Sequence, residues 1–472
     1  MEPSPLKNGR PLEILAPVLV YGLLCAGLYA SGTRFAINQD LAQLLDPRLL
    51  RDRLAESIWN LHSQPPLMNL LYGLALNLEK LTGIRPETTL FIVIFSAVGA
   101  AVLCLAALAR DFISSRAAYA VFLLLLLGDP YVCQTAFYYF YCPYELFFLS
   151  FMALMCLRYL RAGRASDYAL FCLAAVLLVY TRSLFHFLWA GIAILGLPLL
   201  ARSSGRPAGG RKAVCLAAVS LALLMAWPLH NYLRFGFFGY SSWQGFNLSR
   251  GLEVEKPSMF RLFVRRDEDA LSGEEAACLD SFVPREFLGV PALTETSKAN
   301  GAPNWNHYAF IVLSRELGQE AVQTMISHPA AIYYKAKEFY LNGYSTFEGR
   351  NPYQGTLCFF KGTPQAVVRW TKLYESAVFQ YRGGRGVRTG FALLFPILLA
   401  AGLIKAAAAR KADPAIFGTA LFMLFCVVWV LAMVIFVDGR EGARMRFSTQ
   451  PFTWMLSVWA VSGLFKRKKL LG

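Results

Sequence analysis

Residues 46–67 read DPRLLRDRLAESIWNLHSQPPL and follow closely on the first long apolar run of the chain. Asp46-Pro47 is a helix-start signal, with Asp at the cap and Pro at the first helical position. The spacing predicts a helix to about Asn60, with Leu49, Leu50, Leu54, Ile58 and Trp59 on one broad side, lying along a membrane surface. Asp52 and Glu56, four apart among Arg48, Arg51 and Arg53, mark its solvated face. His62-Ser63-Gln64 is then delivered to the helix end, and Pro65-Pro66 fixes the entry into the next helix. Ionisable groups at a membrane boundary are costly to keep, so this stretch is read as a functional site.

The surrounding chain supplies the membrane. Of its 472 residues, 56% are hydrophobic and only 16% charged, whereas soluble domains are nearer half and a quarter. Several windows approach the roughly 18–20 apolar residues that cross a bilayer. The expected fold is an all-α polytopic membrane protein with about 10–11 crossings. The net charge of +16 does not point to nucleic acid, because no basic-aromatic module accompanies it. Basic residues in cytoplasmic loops account for it. The N-terminal run mimics a signal peptide, but it is long and no small-residue cleavage site follows, so it reads as a retained helix. Most of the ten cysteines lie in apolar spans as small hydrophobes; Cys278 and Cys358 lie in a long polar loop, where an oxidising compartment would let them pair.

Spans are expected near 12–32, 89–109, 117–135, 143–160, 166–181, 184–201, 213–230, 388–408, 415–437 and 447–465. The basic loops then fall on one side: Arg110/Arg116, Arg161/Arg164, Arg202-Arg211-Lys212 and Arg410/Lys411, with the two termini. That agreement requires the short segment 67–84 to be re-entrant or interfacial; if it crosses, there are eleven spans. The chain divides into an N-terminal module, 1–230, with its first outer loop at 33–66, a non-cytoplasmic region, 231–387, and C-terminal helices, 388–472. The middle region carries helix signals and is expected to be partly folded, with Ser327-His328-Pro329 opening an interfacial helix.

With this topology the polar oddities gather on the outer face. They are Asp40, Asp46, His62 and Gln64 in the first loop, Glu145 beyond the aromatic cluster 137–144, and Arg182 and His186 in one turn. Ser241, Ser242, Trp243 and Asn247 follow the seventh span, and Arg440, Arg444 and Arg446 break the basic-inside pattern. The aromatic cluster reads first as an interface belt, with a sugar-stacking platform as the second reading. The late arginines suit lipid phosphates or a bound phosphate equally. Chemistry on this face would need a membrane-carried donor.

A first helix, an outer loop with acidic residues and a surface helix, and then His62-Ser63-Gln64-Pro65-Pro66-Leu67 resembles the C-type (GT-C) membrane glycosyltransferases. These include protein O-mannosyltransferases and lipid A aminoarabinose transferases. The resemblance covers the whole chain in plan and about the first hundred residues in motif. It implies inverting transfer of a sugar from a polyprenyl phosphate to a lipid, glycan or protein acceptor on the non-cytoplasmic side, by default the periplasmic face of a bacterial inner membrane. Asp46, or else Asp40, would be the general base, and His62 or His186 would assist the arginines at the leaving phosphate. Gln64, Glu145, Arg182, His186, Trp243, Arg444 and Arg446 would bind substrate, the arginines meeting the leaving phosphate. Some members use a divalent metal, for which Glu145 and His62 would be the ligands, although no metal spacing is present. Two departures stand out. The family's paired Asp-Glu is absent, since Leu41 follows Asp40 and Pro47 follows Asp46, and the lysine preceding the proline pair in aminoarabinose transferases is Gln64. A ligase or polymerase of O-antigen type, depending instead on late-loop groups such as His307, is the rival reading. A transporter is a weaker one, because no internal repeat or midplane charge is visible.

Overall fold

The structure, a computed structural model, describes residues 11–39, 41–203, 210–249, 252, 273–344, 364–378, 390–436 and 442–462. It is all-α; among these residues the β pairing consists of two isolated bridges, Ala36 with Tyr138 and Ser297 with Pro303. The N-terminal helices are α1 (Pro11–Ala30), α2 (Pro47–Asp52), α3 (Leu54–Trp59), α4 (Leu67–Thr82), α5 (Pro86–Phe112), α6 (Arg116–Leu127), α7 (Pro130–Gln134), α8 (Cys142–Ala162), α9 (Ala165–Thr181), α10 (Phe187–Ser203) and α11 (Gly210–Phe235). There follow α12 (Gln244–Ser249), α13 (Gly273–Asp280), α14 (Pro291–Thr294), α15 (Ala309–Ser327), α16 (Pro329–Tyr344) and α17 (Gln365–Val378). The chain closes with α18 (Gly390–Ala409), α19 (Pro414–Phe436), α20 (Gly442–Phe447) and α21 (Gln450–Ser462).

Each expected span lands on a helix. Among the described residues four are long and apolar enough to cross a membrane unaided (α1, α5, α11 and α19), and α6 with α7, bent by 53°, makes a fifth. The other helices at expected spans are shorter, as α9 and α10 are, or less apolar, as α8 is.

Pairing at the helix ends fixes the topology. Glu13 near the start of α1 pairs with Arg110 near the end of α5. Phe35, just beyond α1, packs on Phe91 near the start of α5. The two helices are therefore antiparallel, and everything between them leaves and returns at one end. Helix α4 does not carry the chain across. It lies against α2, tied by Arg51–Glu79 at 2.5 Å and Lys80–Asp52 at 3.0 Å. Gly83, at φ +74°, ends it in the left-handed cap that glycine adopts freely.

The basic loops gather at the opposite end, where Arg161 meets Asp111 at 2.6 Å and Arg158 meets Asp167 at 3.1 Å. At the α4 end lie the described first loop, the 135–141 turn, the 182–186 turn and the 239–243 turn, which touch one another or share one cavity. The expected surface helix is present but breaks at Arg53 into α2 and α3. The aromatic run 137–144 is not a lipid belt: Phe137, Tyr138, Tyr139, Phe140, Tyr141 and Tyr144 are all buried. Tyr138 bridges to Ala36, and the Tyr139 hydroxyl donates to the Met68 carbonyl at 2.5 Å. The run is thus the floor beneath the first loop.

The middle region folds over that floor. Helix α15 carries one apolar cluster with Trp243, Phe246 and Leu279, and Ile311 on it joins a second with Phe235, Phe287 and Leu293. Helix α17 reaches the broken span, where the Trp370 indole donates to the Gly128 carbonyl and the Tyr374 hydroxyl to that of Leu125, each at 2.9 Å. Broken helices persist in membranes when neighbours satisfy the freed backbone groups. Cys278 is exposed; Cys358 lies outside the described residues.

Candidate active site

The first loop is clamped to the middle region by backbone and amide hydrogen bonds. The Ser242 amide donates to the His62 carbonyl at 2.8 Å. The Asn306 side-chain oxygen accepts from the amides of His62 and Ser63 at 2.9 and 3.0 Å. Helix α12 crosses α15 with Gly245 against the Ser314 carbonyl and beside Gly318, an approach any side chain at 245 would block.

Between these elements and the ends of α8, α9 and α19 lies a cavity of about 390 Å³. Its lining combines three kinds of chemistry. One part is apolar: Leu184, Leu188, Trp429, Met433 and Met445. The Trp429 indole donates to the Leu184 carbonyl at 3.0 Å, joining α19 to this turn. Another part, from the first loop and α12, is made of neutral hydrogen-bonding groups: Gln43, Gln64, Ser241, Gln244 and Asn247, beside Trp243. Ser241 Oγ anchors it by donating to the Ser63 carbonyl at 2.5 Å. Arg182, Ser183, His186 and Tyr141 complete the lining.

Arg182 is the cationic centre. It caps α9, donates to Glu145 Oε1 at 2.6 Å, and lies 4.2 Å above the centre of the Tyr141 ring. The side chains of Arg182 and Glu145 are 6% and 0% exposed, so each charge depends on the other. Glu145 sits in the first turn of α8, near the helix's positive end. It does not line the cavity; it holds the residue that does. His186 is half-buried, and burial pushes its pKa below the usual imidazole value, leaving it neutral near pH 7.

Gln64, Arg182, His186 and Trp243, scattered over 180 positions of sequence, thus share one cavity. Arg446 stands at this end beside Met445 but points its Nε at Gln450 Oε1, 3.2 Å away, and Arg444 and Asp40 lie outside the described side chains. Gln39 and Leu41, flanking Asp40, are pinned by Lys298, whose Nζ donates to their carbonyls at 3.0 and 2.7 Å.

Two expected catalytic groups have other work. His62 is 0% exposed. Its Nε2 lies 2.8 Å from the Asn306 carbonyl, which can only accept, so Nε2 carries the proton and Nδ1 accepts from Ser242 Oγ at 2.8 Å. Burial pushes its pKa down to about 3. Both ring nitrogens are thus engaged and His62 is not among the residues lining the cavity; it clasps the first loop to the middle region. Asp46 is 3% exposed. Its oxygens accept from the Arg48 amide at 2.7 Å, the Arg48 guanidinium at 2.9 Å and the Ala299 amide at 2.5 Å. Burial pushes its pKa up, but these donors, led by the Arg48 side chain, outweigh it and hold the carboxyl below its ordinary value. A carboxylate so placed is a helix cap and a poor proton acceptor.

Glu145 with His62 therefore does not fit a metal, and no group of three His, Cys, Asp or Glu gathers among the described residues. His307 is equally remote from the cavity. It is 0% exposed, its Nδ1 accepts from the Ala309 amide at 3.2 Å, and Asp280 is 3.6 Å from its Nε2. Asn306 and the amides Gln43 and Gln244 had no signal in the sequence, being ordinary polar residues whose partners lie far along the chain.

No protein-family model and no curated protein matches the sequence. Among solved structures the chain is similar to the oligosaccharyltransferase of Archaeoglobus fulgidus, solved with Zn and sulfate (15% identity, TM-score 0.40, covering 97% of this chain and 49% of that one). It is also similar to that organism's AglB, in complex with an inhibitory peptide and a dolichol-phosphate (13%, 0.40, 97% and 51%). A third is ArnT of Cupriavidus metallidurans bound to undecaprenyl phosphate (13%, 0.33, 93% and 78%). The chain spans about half the length of the archaeal oligosaccharyltransferases.

Proposed function

We propose that the chain is a membrane glycosyltransferase that moves a sugar from a polyprenyl-phosphate carrier to an acceptor hydroxyl with inversion at the anomeric carbon. The observation that carries this reading is the combination of chemistries lining one cavity: apolar side chains for an isoprenoid, a buried arginine for a phosphate, and neutral hydrogen-bonding groups for a sugar. A guanidinium held by Glu145 and Tyr141 cannot swing away, so it is preorganised for the charge that grows on a departing phosphate. His186, neutral, offers a second donor from the same turn.

In the proposed step the acceptor oxygen attacks the anomeric carbon and the bond from that carbon to the phosphate oxygen breaks. The lipid phosphate leaves with the bonding pair against Arg182, and a base takes the hydroxyl proton. With Asp46 committed to its cap, Asp40 is the first-loop carboxylate assigned as base; Gln43, three positions on, lines the cavity. Residues 1–230 form the catalytic module, 231–387 a cover and 388–472 further walls. The positive-inside rule supports a cavity on the non-cytoplasmic face, the periplasm in a bacterial cell. The acceptor is a lipid, glycan or protein of that face.

The test is transfer of radiolabelled sugar from a polyprenyl-phosphoryl donor to acceptors in a membrane extract, using purified protein in nanodiscs. Arg182→Gln and Asp40→Asn each abolish transfer, while Asp46→Asn retains it. Full transfer by the Asp40→Asn, Asp46→Asn double variant would sink the first-loop base.

A further inference from the structure

The neutral wall has more hydrogen-bonding capacity than the protein uses. Gln43, Gln64, Gln244 and Asn247 all line the cavity, and none of these four side chains bonds to another described residue. Each amide presents a donor and an acceptor side by side, matching the alternating demands of neighbouring hydroxyls. The adjacent Trp243 is one face of an aromatic cluster with Trp305, Phe246 and Phe310, so it is held rigidly.

We infer that this wall, formed by Gln64, Trp243, Gln244 and Asn247, is the sugar subsite of the cavity and takes an uncharged polyhydroxyl sugar. The inference rests on the reading of the cavity as a polyprenyl-phosphate site. The described lining of this wall offers an ammonium group no carboxylate: Gln64, Trp243, Gln244 and Asn247 are neutral, and Glu145 lies behind Arg182 and does not line the cavity.

The test compares three carriers on purified protein in nanodiscs: undecaprenyl phosphate, undecaprenyl-phosphoryl mannose, and undecaprenyl phosphate bearing 4-amino-4-deoxyarabinose. Dissociation constants are read by native mass spectrometry. Mannose tightens binding about tenfold over the bare carrier, equivalent to ~1.4 kcal/mol. Gln244→Leu and Asn247→Leu each remove most of that increment while leaving bare-carrier affinity unchanged, which also reports that the variants are folded. The amino sugar brings no increment. Equal affinity for bare and mannosylated carriers, or equal weakening of both by the variants, overturns the subsite. An equal gain from the amino sugar overturns the uncharged class. Failure to bind any of the three overturns both the subsite and the reaction it serves.

Discussion

Removing one member of the Arg182–Glu145 pair leaves the other charge buried. The contact is 2.6 Å with side-chain exposures of 6% and 0%, and Glu145 Oε2 has no partner even in the intact protein. Arg182→Gln therefore strands a carboxylate, at about 3–5 kcal/mol. It also forfeits the stacking on Tyr141, on the order of 1–2 kcal/mol when desolvated. The double variant Arg182→Gln, Glu145→Gln removes both charges and replaces them with groups that hydrogen-bond each other. It should recover at least half of the lost stability. Carrier affinity behaves differently. A charge-assisted bond to phosphate is worth about 2 kcal/mol, so both the single and the double variant bind undecaprenyl phosphate roughly thirtyfold more weakly. Thermal unfolding in detergent gives the first quantity and carrier titration the second. A double variant as unstable as Arg182→Gln would show that the pair is not the source of the loss. A double variant that binds the carrier normally would remove Arg182 from the phosphate site.

His62 makes the fold acid-sensitive. Its folded pKa, about 3, lies below the unfolded value of about 6.5, so the unfolded chain binds the extra proton and stability falls as pH drops from 6.5 toward 3. The limit is ~5 kcal/mol; unfolding midpoints that decline between pH 6.5 and 4 in the parent but much less in His62→Gln would bear this out, and parallel curves would refute it. Asp46→Ala removes a cap that holds two backbone amides and should cost roughly 1–2 kcal/mol, seen as a lower midpoint with transfer retained by the folded fraction. Gly245→Ala drives a methyl into the Ser314 carbonyl, which belongs to a helix backbone and cannot rotate aside. About 1–3 kcal/mol of destabilisation is expected, and an unchanged midpoint would mean that α12 and α15 separate freely.

The helices, and the gathering of the basic loops at one end, were legible because apolar length and loop charge are local properties. Even the non-crossing α4 followed from the demand that Arg110, Arg161 and Arg410 share an end. The site was legible only in part. Pro65-Pro66 marked Gln64 as placed with care, and Arg182 stood out as a charge between apolar runs. His62, two residues from Gln64, carried an equal signal and faces the other way. Its orientation is set by Ser242 and Asn306, 180 and 244 residues distant, and no local pattern reports partners so remote. Asp46 was correctly read as a cap, yet a cap and a base look alike until Ala299 is found on the second oxygen. The aromatic run 137–144 misled for a related reason. Belts and buried floors share a composition and differ only in what is folded over them.

The bend between α6 and α7 has a temporal side. The residues that sheathe its open carbonyls, Trp370 and Tyr374, lie 242 and 249 positions further along. A ribosome feeding this chain into a translocon therefore releases the kinked hairpin long before its sheath has been synthesised. In the interval those oxygens must be quenched by water or by an assembly factor. Deleting the stretch around α17 would leave that early intermediate as the end state, so quality-control proteolysis, more than lost catalysis, should be the phenotype of such a deletion.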